Sequence, residues 1–169
     1  ENIPQITAIA DEGWEFSHWE SNATFLNKLS SDKSPIATVA LSDAPPTMSF
    51  EAVFKRPVFQ LSVECTAGGT VNSQPNFELD VKGGTQISLQ AQPQKGWSFD
   101  FWQGVEESLI SNEQVDIIIN SNSKLVASFK KNTYTLQITQ STLGESSGTG
   151  NYQYDELRQI STTPKKGYL

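Results

Sequence analysis

The sequence predicts an all-β chain built from small tandem modules, with one complete copy flanked by two partial ones. Three observations predict it. A glycine-aromatic phrase occurs at Gly13-Trp14-Glu15-Phe16-Ser17-His18-Trp19 and at Gly96-Trp97-Ser98-Phe99-Asp100-Phe101-Trp102, and it starts again at Gly167-Tyr168. A second text repeats as well: Ala52-Val53-Phe54 through Phe59-Gln60-Leu61-Ser62-Val63 aligns with Ala127-Ser128-Phe129 through Tyr134-Thr135-Leu136-Gln137-Ile138. Between these landmarks apolar residues recur at every second position and are bounded by Gly, Pro, Asn and Ser, which is the pattern of half-buried strands.

The repeat sets the domain count before length does. Aligning Gly13 with Gly96 also aligns Trp14 with Trp97, Phe16 with Phe99, Trp19 with Trp102, Ile6 with Leu89 and Ala8 with Ala91. Aligning Gly96 with Gly167 brings Pro93 onto Pro164, Lys95 onto Lys166, Leu89 onto Ile160 and Trp97 onto Tyr168. Residues 1–57 then form the C-terminal part of a first repeat, 58–132 a complete second repeat, and 133–169 the N-terminal part of a third. Both ends read as cuts through a longer protein.

The complete copy is expected to begin with a strand whose Phe59, Leu61, Val63 and Cys65 face one way, turned by Ala67-Gly68-Gly69. Gly69 to Ser73 and Phe77 to Val81 follow as strands around a Pro75-Asn76 turn. Ile87, Leu89 and Ala91 form the inward face of the next strand, which Pro93 to Gly96 ends. The signature strand comes after it. Strict alternation there puts Trp97, Phe99 and Phe101 on one face and Trp102 on the other. Glu106 to Asn112 is a polar connector, and Val115-Ile117-Ile119 and Leu125-Ala127-Phe129 mark the last two strands. In the first copy a longer insert follows Trp19. Its Phe25, Leu26 and Leu29 would share one face of a short helical turn, ahead of strands at Ile36 to Leu41 and Met48 to Phe54.

The bulk properties narrow the function classes. The 169-residue chain has 18% charged residues and a net charge of −7, a balance that repels polyanions and excludes nucleic acid as a partner. Cys65 is the only cysteine, so no intramolecular disulfide and no cysteine-based metal site can form. Its place in the Leu61-Val63-Cys65 alternation marks it as a small buried residue. No run of about 18 apolar residues occurs, so this segment does not insert into a membrane as a helix.

The ordered text Ala91-Gln92-Pro93-Gln94-Lys95-Gly96-Trp97-Ser98-Phe99-Asp100-Phe101-Trp102, then Ile117-Ile118-Ile119, then Leu125-Val126-Ala127-Ser128-Phe129 resembles the divergent internalin B-type repeats of bacterial surface proteins. The first copy carries the same marks and departs from them at Ala10, where the family favours proline. The resemblance implies modules that are β-grasp-like or small sandwiches, strung on secreted or cell-surface proteins as a stalk, a spacer or an adhesive array. Their partners would be neighbouring repeats of the same chain and, beyond them, a surface glycan or a host or cell-surface protein. It brings no catalytic residue with it.

Candidate sites are few. Trp14, Trp19, Trp97, Trp102 and Tyr168 offer faces on which sugar rings stack, but their recurrence at one register is what a core requires. Trp19 and Trp102, on the opposite parity, are the two positions open to a ligand or to a contact between modules. His18 replaces Phe101 in the first copy and has no second histidine or cysteine with which to hold a metal. The acidic pairs Asp11-Glu12, Glu106-Glu107 and Asp155-Glu156 do not align from copy to copy and lack the Asp-x-Asp-x-Asp-Gly loop of a calcium site. No Gly-x-Ser-x-Gly elbow accompanies His18, so no catalytic set and no cofactor site is expected. A carbohydrate-binding accessory module of a secreted glycan-processing enzyme is the alternative reading, and the exposure of Trp19 and Trp102 decides between the two.

Overall fold

The computed structural model describes residues 3–167, and its regular structure is mostly strand. Tyr168, the third copy's counterpart of Trp97, lies outside the described residues. The first copy contains β1 (Gln5–Thr7), β2 (Glu15–Glu20), a single helical turn α1 (Ala23–Leu26), β3 (Ile36–Thr38) and β4 (Glu51–Lys55). Asn22 starts α1 by accepting the Phe25 N–H at 3.0 Å, which satisfies one of the donors a helix start leaves free. β1 pairs with β3 and β2 with β4, both antiparallel.

The complete copy contains β5 (Val58–Cys65), β6 (Gly69–Val71), β7 (Asn76–Lys82), β8 (Thr85–Pro93), β9 (Trp97–Gln103), β10 (Gln114–Ile119) and β11 (Ser123–Lys131), with one 3-10 turn at Glu107–Leu109. They form a four-stranded sheet of order β7-β5-β11-β9 and a three-stranded sheet of order β10-β8-β6. Gly69 on β6 shows that the two sheets face each other, because a Cβ there would stand 2.3 Å from the Phe129 ring of β11. Of the two expected module shapes, this is the small sandwich.

The third copy supplies β12 (Thr133–Leu136), β13 (Gly144–Ser147), β14 (Gly150–Gln153) and β15 (Ser161–Pro164). It pairs β12 with β14 and β13 with β15, repeating the β5-β7 and β6-β8 neighbours of the complete copy. The first copy repeats the other half, β8-β10 and β9-β11. Each partial copy therefore keeps the pairings of the part it contains.

Two compact units divide the chain: Glu1–Leu61 with Glu78–Ser88 and Asp116–Ser123, and Ser62–Phe77 with Leu89–Val115 and Lys124–Leu169. The division crosses the strands of the complete copy and leaves both linkers, 55–57 and 130–132, inside a unit. In the first unit the buried apolar residues are Trp19, Ala37, Val39, Leu61, Val81 and Ile119. The second buries a larger set dominated by Phe99, Trp102, Leu125 and Phe129.

Candidate functional site

The signature strand does not alternate strictly. Between β9 and β11, Ser128 stands opposite Phe101 and Phe129 opposite Phe99, so Asp100 has no partner of its own. Between β2 and β4, Val53 stands opposite His18 and Phe54 opposite Phe16, which leaves Ser17 in the same position. An extra residue on one strand is a β-bulge, and it moves every later side chain to the other face. The expected inward set Trp97-Phe99-Phe101 is therefore corrected: Phe99 and Trp102 share the inward face, and Phe101 is 42% exposed.

With that register each copy builds the same aromatic triad. Phe99 lies 5.8 Å from Trp102 at 52° and 6.0 Å from Phe129 at 76°. Phe16 lies 5.5 Å from Trp19 at 55° and 6.1 Å from Phe54 at 80°. Tilted and edge-on pairs at these separations are the arrangements that the ring quadrupoles favour.

Trp102 and Trp19, the two positions singled out for a ligand or a contact between modules, are only 1% and 6% exposed. They hold their own copy's connector. The Trp102 backbone N–H donates to the Ile110 carbonyl at 2.8 Å, and its indole Nε1–H donates to the Asn112 carbonyl at 2.9 Å. Trp19 makes the equivalent pair with the carbonyls of Asp32 and Ser34, at 2.8 and 2.9 Å. One large ring thus fills the interior while its two donors clasp a loop that has no strand partner there.

The rings nearer solvent are Trp14 and Trp97, the first residues of the phrase. Trp14 is 44% exposed, with the Arg56 guanidinium 5.3 Å from its ring centre. Lys131, which aligns with Arg56, places its ammonium 5.7 Å from the Trp97 ring. The Gly68 backbone also lies against this indole, since a Cβ there would come within 2.2 Å of it. The sequence reading missed this repeated cation, whose one signal is that aligning Phe54 with Phe129 also aligns Arg56 with Lys131.

The remaining candidates stay apart. His18 faces outward, with Nδ1 3.0 Å from Ser17 Oγ and Nε2 3.0 Å from Glu20 Oε1. Cys65 is half-buried. Loss of water around it pushes its thiol up, opposed more weakly by a backbone hydrogen bond from Val71. Among the described residues no group of three His, Cys, Asp or Glu side chains is placed to hold a metal ion. A groove in the third copy is lined by Ile138, Leu143, Glu145, Thr162 and Pro164. No helix of the described residues is long and apolar enough to cross a membrane, a statement that does not extend to β-barrels.

A bulged glycine-aromatic strand, a three-ring interior and a tryptophan clasp, each present twice, define a class of tandem β-repeat whose identity lies in its core. Comparison with known families gives the same answer. Residues 2–56 and again 59–133 match the divergent InlB B-repeat domain, and the chain belongs to that family. No curated protein and no solved structure matches it.

Proposed function

We propose that this segment is a non-catalytic spacer in a tandem array on a bacterial surface or secreted protein, with neighbouring repeats as its first partners. One observation carries the reading: the rings that share one register in the two copies, Phe16, Trp19, Phe54 and Phe99, Trp102, Phe129, pack on one another inside their own copies. What repeats along the chain is an interior, and an array of interiors supplies length and spacing, with copy number setting the reach. Membership of a family of bacterial surface repeats supports the setting.

The glycan-binding alternative needs two or more accessible rings side by side, and among the described residues no second ring pairs with the exposed Trp14, which stands under Arg56. Affinity electrophoresis through gels carrying cell-wall or host polysaccharides separates the readings. The spacer reading expects unchanged mobility at every polysaccharide concentration. Retardation that disappears in Trp14→Ala would replace it with the binding-module reading.

A further inference from the structure

Both seams between copies are built alike, and the likeness concerns residues that the cores do not use. At the first seam the turn ahead of the signature strand places Gly13, at φ +78°, against the β7-β8 hairpin turn of the next copy. A Cβ on Gly13 would stand 2.4 Å from the Gly84 backbone, and one on Gly83 would stand 2.6 Å from the Gly13 carbonyl oxygen. The Gly83 N–H donates to the linker carbonyl of Pro57 at 2.8 Å, and Asn120 Nδ2 donates to Glu12 Oε1 at 2.7 Å.

At the second seam Gly96, at φ +81°, meets the corresponding β14 turn, where Tyr154 and Asp155 align with Gly83 and Gly84. A Cβ on Gly96 would come 2.1 Å from the Tyr154 ring. The Tyr154 N–H donates to the linker carbonyl of Asn132 at 2.8 Å, the same bond as Gly83 to Pro57. Asn132 adds one that proline cannot make, donating its own N–H to the Gly96 carbonyl at 2.9 Å. Asp155 keeps the left-handed backbone of Gly84, with φ +63° against +72°. Backbone this close to a neighbour admits only glycine on the receiving side.

We propose that the turn ahead of each signature strand is a docking socket for the hairpin turn of the following copy, so that each seam is a stiff joint between copies and not a free linker. Gly167 has the same backbone, φ +97°, with no described residue within 4 Å of its Cβ position. The left-handed backbone is thus shared by the glycine of all three phrases. Stiffness matters biologically only if the chain is a spacer, the reading above, but it is measured independently of it.

Residual dipolar couplings of the isotope-labelled full chain in a dilute aligning medium test the joint. In the native chain one alignment tensor is expected to fit the first-copy amides together with those of Glu78–Ser88. Another single tensor should fit residues 133–164 together with 89–115. Gly83→Ala adds a methyl group without left-handed strain and is expected to split the first fit, with the Trp102 indole resonance unmoved. Tyr154→Ala, which strains no backbone, should split the second, so the test survives if Gly83→Ala unfolds its hairpin. Gly167→Ala controls for the cost of φ alone and should split neither. Separate tensors across either seam in the native chain would overturn the stiff joint, and a common tensor retained in Tyr154→Ala would overturn the docked turn as its cause. Binding to polysaccharide would overturn the spacer reading and leave the joint standing.

Discussion

Trp102 contributes a ring and two donors, and the two contributions can be removed separately. Trp102→Ala empties the centre of the triad, and truncations of this size cost about 3–5 kcal/mol, enough to unfold the complete copy in a urea titration. Trp102→Phe keeps a ring but leaves the Asn112 carbonyl without its donor, for a loss of roughly 1–3 kcal/mol. Trp14→Ala, at an exposed ring, should change the midpoint little. Cys65 tests burial at the same scale. Its thiol holds the proton more tightly folded than unfolded, so stability is full below the ordinary thiol range and declines as pH rises through that range towards the folded value. Iodoacetamide should accordingly alkylate Cys65 more slowly than free cysteine at pH 8, and the difference should vanish in urea.

At the scale of elements, the bulge explains both what the sequence disclosed and what it concealed. Strands β5, β8, β10 and β11 were legible because Leu61-Val63, Leu89-Ala91, Val115-Ile119 and Leu125-Ala127-Phe129 alternate cleanly and are buried as read. In β9 the same rule gave the wrong face after Asp100, since a period of two does not register an extra residue. The signal was present in the odd spacing: Phe16-x-x-Trp19 and Phe99-x-x-Trp102 put two large rings three apart in both copies, which an unbulged strand places on opposite faces. Deleting Asp100 should therefore be tolerated better than deleting a paired residue of the same strand. It removes the extra residue and leaves Phe99 and Trp102 two apart, on one face of a regular strand, so the near-ultraviolet dichroism of the tryptophans should be retained.

The hairpin carrying Tyr154 has an electrostatic tie of its own. The Gln153 N–H donates to Glu156 Oε2 at 2.9 Å and holds that carboxyl below its usual range, helped by Arg158. A lowered folded value means support that is present above the ordinary carboxylate range and lost as pH falls through the folded one. Protection factors in β14, taken against the intrinsic exchange rate at each pH, should fall in acid, and in Glu156→Gln at neutral pH.

Across the whole molecule, the tandem organisation could be read directly because glycine and aromatic positions serve packing, and packing repeats wherever the module does. The cation over the first tryptophan and the turn-on-turn seams were harder to see. Their residues change identity from copy to copy, Arg56 for Lys131 and Gly83 for Tyr154, while their geometry persists. The division of the chain into compact units across the complete copy left no mark in the text at all, because strand continuity hides it.

Indole hydrogen exchange in the intact chain tests most directly that the repeated phrase encodes an interior. Four tryptophan Nε1–H signals are expected in two classes. Trp19 and Trp102, bonded to Ser34 and Asn112 carbonyls, should exchange slowly and ignore added polysaccharide, whereas Trp14 and Trp97 should exchange fast. Fast exchange at Trp19 and Trp102, or a shift of their signals on adding glycan, would contradict the account.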